Sequence, residues 1–163
     1  MFRIPLPPPG ALCIVRRPRG GDWLDDDIAG LARDGIGVVV SLLCPDEQNE
    51  LGLEREAEAC GRYGIAFMPL PVPDRGSPHD TPAFISDVRR VAKLLRDGAS
   101  VAVHCRQSVG RSGLLAVSVA VSLGASLDSA LDIVSKARSM RVPETTEQDD
   151  WLRRNVAEFQ RND

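Results

Sequence analysis

The chain has 163 residues, of which 43% are hydrophobic, 26% charged and only 4% aromatic, a make-up that fits one globular domain over 1–163 and excludes a disordered or disulfide-stapled chain. Its net charge of -3 excludes the broad basic surface that sequence-independent nucleic-acid binding requires. Of the 20 basic residues only Lys93 and Lys136 are lysines, so nearly every cation is a guanidinium, suited to gripping phosphate or carboxylate through two parallel hydrogen bonds, although genome base composition produces the same bias.

In chain order, a proline-rich lead over 1–11 precedes a short strand at 12–15. An acidic-started helix at 22–33 is expected to carry Trp23, Leu24, Ile28 and Leu31 inward and to end at Gly35. The apolar run 36–43 reads as a buried parallel strand, 53–63 as a helix and 65–70 as a second buried strand. Five prolines between 69 and 82 demand a stiff, extended loop. Thr81 and Pro82 look like the N-cap and first position of a helix running to about Arg96. A third strand follows at 100–104, then three helices at 111–123, 127–139 and 145–160. This alternation predicts an α/β fold with a mainly parallel central sheet and helices on both faces.

The four cysteines, Cys13, Cys44, Cys60 and Cys105, are too few and too scattered for a disulfide framework and form no CxxC zinc pair. Reduced thiols in a cytoplasm fit better. The first ten residues lack the apolar core of a secretory signal, the longest small-apolar run (114–125) is too short to span a bilayer, and the final residues contain no prenylation box. A cytoplasmic protein with no membrane anchor is expected.

The chemistry concentrates at His104-Cys105-Arg106-Gln107-Ser108-Val109-Gly110-Arg111-Ser112. A β-branched strand runs into a seven-residue loop from Cys105 to Arg111, and the loop runs into a helix. Successive backbone N–H groups and the positive helix end make an anion cradle, whose field also favours a thiolate at Cys105. Arg111 can grip two phosphate oxygens, Ser112 can donate to the departing sulfur, and Gly110 permits a backbone turn that a side chain would obstruct. The spacing alone is weak, since Cys13 and Arg19 share it. That copy, however, has Leu12 in place of the histidine, Pro18 inside the loop and Gly20-Gly21 where a helix should begin. Without the loop context, Cys105 would read as a buried structural cysteine beside an arginine.

These residues resemble the His-Cys-x5-Arg-Ser signature of the cysteine-based protein tyrosine phosphatases, in their compact dual-specificity-like bacterial branch. The likeness runs from about Arg16 to Phe159 and includes 18–24, 40–43 and 71–78. It implies a metal-independent phosphomonoesterase without cofactor, acting on phosphorylated protein or peptide through a cysteinyl-phosphate, with Cys105 as nucleophile, Arg111 as phosphate clamp and His104 in support. It also implies a general acid of the form Asp-x-x-x-Pro, matched by Asp74 and Pro78, although Pro-Asp-x-Gly is equally an ordinary turn. Asp80 is the rival acid. Gln148, in Thr145-Thr146-Glu147-Gln148, matches a glutamine that positions the hydrolytic water, yet the same residues form a Thr-x-x-Gln capping box. Cys44, at the end of the second strand, matches a cysteine that traps the nucleophile as a reversible disulfide, or is simply a small apolar residue; Cys13 and Cys60 read as bystanders.

One departure is Ser108, where glycine or alanine is usual in the family. It either crowds the loop or adds a donor, which keeps a non-catalytic phospho-binding module open. Phosphoinositide, inositol-phosphate and RNA 5′-phosphatases share the scaffold, but the loop lacks the lysines that grip extra phosphates and leaves only Arg106 and Arg75 as rim candidates. Rhodanese-like sulfur transferases have a shorter loop.

Overall fold

The computed structural model describes residues 1–7 and 9–161. Five strands, β1 (Phe2–Ile4), β2 (Ala11–Ile14), β3 (Val38–Ser41), β4 (Ala66–Pro69) and β5 (Ser100–His104), form one sheet in the order β1-β2-β5-β3-β4. β2, β5, β3 and β4 run parallel to one another, while β1 is antiparallel to β2. The described residues also form the helices α1 (Leu24–Arg33), α2 (Pro45–Glu50), α3 (Glu56–Arg62), α4 (Thr81–Arg96), α5 (Gly110–Ser122), α6 (Leu127–Arg138) and α7 (Thr146–Gln160).

β5 lies between β2 and β3, so its two faces must both be covered, and its run Val101-Ala102-Val103-His104 is fully buried. Alternation divides these side chains between two cores. Val101 and Val103 join Leu12, Ile14, Val38 and Val40 against the layer containing α4 to α7. Ala102 joins Cys13, Val15 and Val39 against α1 and α3. α5 is buried along its whole length because α4, α6 and α7 surround it over the sheet. Its make-up of small, apolar and serine residues, with Arg111 its one charged residue, therefore reflects a central position within the protein.

Several expectations need correction. The lead is not irregular throughout: Phe2–Ile4 pairs with β2 and makes an edge strand. β4 is the opposite edge, and its Ala66 and Pro69 are exposed, so the second apolar run is only partly buried. Trp23 does not point inward. It belongs to a single 3-10 turn (Gly21–Trp23) ahead of α1, is 56% exposed and carries the Arg19 guanidinium 4.5 Å from its ring centre. The cap of α4 is Asp80, whose carboxylate accepts from the Ala83 N–H, and Thr81 is already helical. The short helix α2 is an addition to the expected elements. Its sequence, Pro45-Asp46-Glu47-Gln48-Asn49-Glu50, has no apolar period, although proline at the first position and acids in the first turn are helix-start signals.

Replacing Leu115, fully buried in α5, by alanine is expected to lower the unfolding free energy by about 2–5 kcal/mol. Replacement of Trp23 by alanine should change it by less than about 1 kcal/mol. Urea titration of the two variants measures the contrast.

Candidate active site

Cys105 follows directly from the C-terminal end of β5, the edge at which open parallel sheets present their sites. The loop from 105 to 109 turns back on itself, so that the Ser108 N–H points at the Cys105 sulfur at 3.2 Å. This turn requires a left-handed residue at Ser108 (φ 58°), a conformation that costs a non-glycine residue about 1–3 kcal/mol. The serine hydroxyl answers that strain by donating to the Val15 carbonyl at the end of β2, at 2.5 Å. Ser108 thus fastens the loop to the neighbouring strand and does not crowd the cysteine.

Gly110 begins α5, but a turn is not why glycine is needed there: its φ is not in the left-handed region. A Cβ at Gly110 would stand 2.9 Å from Glu144 Oε2 and 3.0 Å from Gln148 Oε1, so glycine lets the segment before α7 close over the loop. Ser112 Oγ is buried and has no hydrogen-bond partner among the described residues, the Cys105 sulfur included.

Arg111 is 2% exposed and its guanidinium is fixed from several sides. Nη1 donates to Glu47 Oε2 at 2.6 Å, to the Val72 carbonyl at 3.0 Å and to the Leu42 carbonyl at 3.3 Å. Nη2 donates to Glu47 Oε1 at 2.9 Å and lies 2.9 Å from Asp74 Oδ1. Burial by itself would disfavour the cation, but the Glu47 hydrogen bond and the charges of Cys105, Glu47 and Asp74 outweigh it and raise its pKa. Glu47 is in turn held by the Cys44 N–H. Burial pushes its carboxyl up, and the bonds from Arg111 and Cys44 reverse this, leaving it below the ordinary glutamate range. Sequence reasoning missed Glu47 because it missed α2.

Asp74 and Arg75 do form the turn anticipated as an alternative: the Gly76 N–H donates to the Pro73 carbonyl at 3.0 Å, and Arg75 is left-handed (φ 59°). The same turn delivers the Asp74 carboxylate, 58% exposed, to Arg111. The N-terminal end of α7 clamps this loop. Thr145 Oγ1 donates to the Arg75 carbonyl, Gln148 Nε2 to the Gly76 carbonyl, and the Ser77 N–H and hydroxyl both donate to Glu147 Oε1. Thr145 caps α7 by accepting from the Gln148 N–H, but the reciprocal half of a capping box is absent: Gln148 Oε1 accepts from the Glu144 N–H. Fully buried Gln148 therefore ties α7 to the Asp74 loop.

Asp74, Arg75, Cys105, Gln107, Gly110, Arg111 and Glu144 line one small cavity of about 50 Å³. Around its mouth, Arg106 is drawn aside by Glu50 through bonds of 2.6 and 3.0 Å, and Arg75 faces Glu144 at 3.7 Å. Val109, the residue before α5, packs against the larger core. Asp80 is spent on its helix cap. His104 is fully buried on the α1–α3 side of the sheet, with Nε2 2.8 Å from Glu56 Oε1. Cys44 caps α2 beside Glu47, and burial followed by the Glu47 charge raises its thiol pKa. All four cysteines are free thiols. Among the described residues no cluster of three or more His, Cys, Asp or Glu side chains has a metal-holding arrangement, and no helix is long and apolar enough to cross a membrane.

Glu47→Gln removes the charge that orients Arg111, and a misplaced clamp is expected to lower kcat by about 10²-fold. Because the Glu47 carboxyl is held below its ordinary value, the pair's stabilisation is complete above about pH 4.3 and is lost as pH falls through the lowered value. Unfolding midpoints across that acid range should fall less steeply in Glu47→Gln than in the wild type.

The family model described as "Polymorphic toxin system, DSP-PTPase phosphatase" matches residues 13–125. No curated protein matches the sequence. Among solved structures, Tk-PTP in its active form is 25% identical, with a TM-score of 0.77 over 96% of this chain and 97% of that one. Kinase associated phosphatase, carrying serine in place of its catalytic cysteine, is 20% identical with a TM-score of 0.77 over 91% and 87%. PTPMT1 in complex with PI(5)P is 17% identical with a TM-score of 0.71 over 90% and 92%. The strand-loop-helix unit around Cys105 on this sheet, together with the family match across most of the chain, makes the protein a member of the DSP-PTPase phosphatases, within the compact dual-specificity-like branch of the cysteine-based protein tyrosine phosphatases.

Proposed function

We propose that the protein is a metal-independent phosphomonoesterase acting on phosphotyrosine, with or without phosphoserine and phosphothreonine, in proteins or peptides. The observation that carries this reading is the convergence of Cys105, Arg111 and Asp74 on a single small cavity. Backbone N–H groups of the loop and the fork of Arg111 bind the phosphoryl oxygens. The Cys105 sulfur attacks phosphorus in line, the P–O bond to the leaving group breaks, and Asp74 gives its proton to the departing oxygen. Water then attacks the cysteinyl-phosphate, Asp74 takes a proton from it, and the sulfur leaves as a thiolate with Ser112 as donor.

Arg111 links binding to this proton transfer. Its Nη2 stands 2.9 Å from Asp74 Oδ1, so a phosphoryl oxygen arriving at the guanidinium competes for the same nitrogen and releases Asp74 toward the leaving oxygen. His104 supports the loop. Gln148 acts by holding the Asp74 loop, since its side-chain carbonyl and amide are both engaged. Cys44, whose thiol feels the charges of Glu47 and Arg111, is the candidate to trap an oxidised Cys105 as a disulfide.

A substrate with several phosphates is disfavoured. The two rim cations, Arg106 and Arg75, each face a carboxylate, Glu50 and Glu144. PTPMT1 binds PI(5)P on a similar fold, so phosphoinositide is the alternative to be compared directly, with RNA 5′-triphosphate beside it.

Hydrolysis of p-nitrophenyl phosphate in the presence of chelator is expected for the wild type and is expected to vanish in Cys105→Ser. No turnover by the wild type favours a phospho-binding module, and turnover by Cys105→Ser rejects the thiolate mechanism. Asp74→Asn should lower kcat by about 10²–10⁴-fold, less for substrates with good leaving groups. On a substrate panel, phosphotyrosine peptide should be turned over faster than phosphoinositide or RNA 5′-triphosphate. Peroxide inactivation that thiols rescue equally well in Cys44→Ser rejects the disulfide.

A further inference from the structure

Beside the catalytic cavity lies a largely apolar groove of about 380 Å³ in which the proposed chemistry takes no part. It is lined by Leu70 and Phe84, by Pro71, and by Pro73 and Pro78, which bracket the Asp74 turn. Cys44 lines it too, and its thiol feels the charges of Arg111 and Asp74, so the two spaces are neighbours. The segment after β4 divides them. Val72 and Asp74 face Arg111 through a carbonyl and a carboxylate, while Pro71 and Pro73 line the groove. This segment also continues the pairing with β3: the Leu70 N–H donates to the Ser41 carbonyl and the Val72 N–H to the Leu42 carbonyl. The outward positions of the edge are Pro69, Pro71 and Pro73, which have no N–H and offer an incoming strand no donor. An occupant of the groove is therefore held mainly by its side chains.

The charge of this groove is opposite to that of the phosphate cradle. Among the described residues Asp80 and Asp87 line it, with the exposed His79, and no lysine or arginine does. Asp80 is engaged as the cap of α4. Asp87, farther along α4, is half-buried and has no hydrogen bond or ion pair among the described residues. Burial raises its pKa, and the charge of Arg90 offsets this only in part. A carboxylate in that setting is stabilised by a cation brought into contact with it. An arginine or lysine suits both parts of the groove, since its methylenes cover proline and leucine surface while its charged head meets the carboxylate. Resting on the phosphotyrosine reading, we propose that the groove receives the substrate residues flanking the phosphotyrosine, and that these combine an apolar side chain with an arginine or lysine. Acidic flanking residues are repelled from it by the same carboxylates.

The test uses phosphotyrosine peptides with a Leu-Arg pair beside the tyrosine, on one side or the other, and matched peptides with Ser-Glu in its place. For the full chain, kcat/KM is expected to be about 5-fold higher with Leu-Arg on at least one side. Asp87→Asn should remove most of that preference and Asp87→Arg should reverse it. p-Nitrophenyl phosphate has no flanking residues, so both variants should hydrolyse it as the wild type does. Ala83→Trp, at an exposed position of the groove, fills it and should lower kcat/KM for the Leu-Arg peptide without changing p-nitrophenyl phosphate hydrolysis. Equal turnover of the matched peptides by the wild type overturns the proposal and leaves the prolines as protection of a sheet edge. A preference that survives Asp87→Arg overturns it too; if that variant does not fold, an undiminished preference in Asp87→Asn does so. If no phosphotyrosine peptide is turned over, the phosphotyrosine reading fails by itself, and fluorescence anisotropy with Cys105→Ser decides the groove. Tighter binding of the Leu-Arg peptide is expected there, and equal or absent binding overturns the proposal.

Discussion

A guanidinium buried at 2% exposure is the constraint around which the rest of the molecule is arranged. Such a cation is unfavourable away from water unless its N–H groups are paired, and breaking one buried ion pair costs about 3–5 kcal/mol. The chain meets this demand for Arg111 from separate stretches: Glu47 on α2, the Leu42 carbonyl after β3, the Val72 carbonyl and Asp74 beyond β4. One side chain thereby joins the ends of β3, β4 and β5 at the same edge of the sheet. A planar group held along one edge can rotate little, so Nε–H and the Nη2 N–H that faces Asp74 are aimed before any oxyanion arrives.

The Asp74 loop receives the same treatment from the opposite side. Proline supplies stiffness, but stiffness does not set direction. Direction comes from α7, whose first turn grips the backbone of 75–77 through Thr145, Gln148 and Glu147. The last helix of the chain thus controls a loop some seventy residues earlier. Gly110 makes that arrangement compatible with the signature loop by leaving room for Glu144 and Gln148 above it.

What the sequence disclosed follows from how local each signal is. The strand-loop-helix unit around Cys105 is contiguous, so its residue types, spacing and glycine were legible together. The alternating α/β order was also legible, because each apolar run lies between turn signals. Edge strands were harder: β1 is three residues long beside prolines, and β4 looks like a central strand until its position in the sheet is known. Glu47 and Glu56 were invisible for a different reason. A glutamate in a polar helix has the same local sequence whether it faces water or a buried cation, and only the fold brings these two to Arg111 and His104. Gln148 and Asp74 belong to an intermediate class, each serving a local turn or cap while also reaching across the site.

The paired arginines at the cavity mouth bear on how substrates arrive. With Arg106 matched to Glu50 and Arg75 to Glu144, and with an overall negative charge, the entrance projects little positive potential beyond the screening length of about 8 Å at physiological ionic strength. Encounter with an anionic partner is then governed by ordinary diffusion and orientation, without electrostatic acceleration, and depends only weakly on salt. Attraction is thereby confined to the last few ångströms, and charges farther out on a partner contribute little to it.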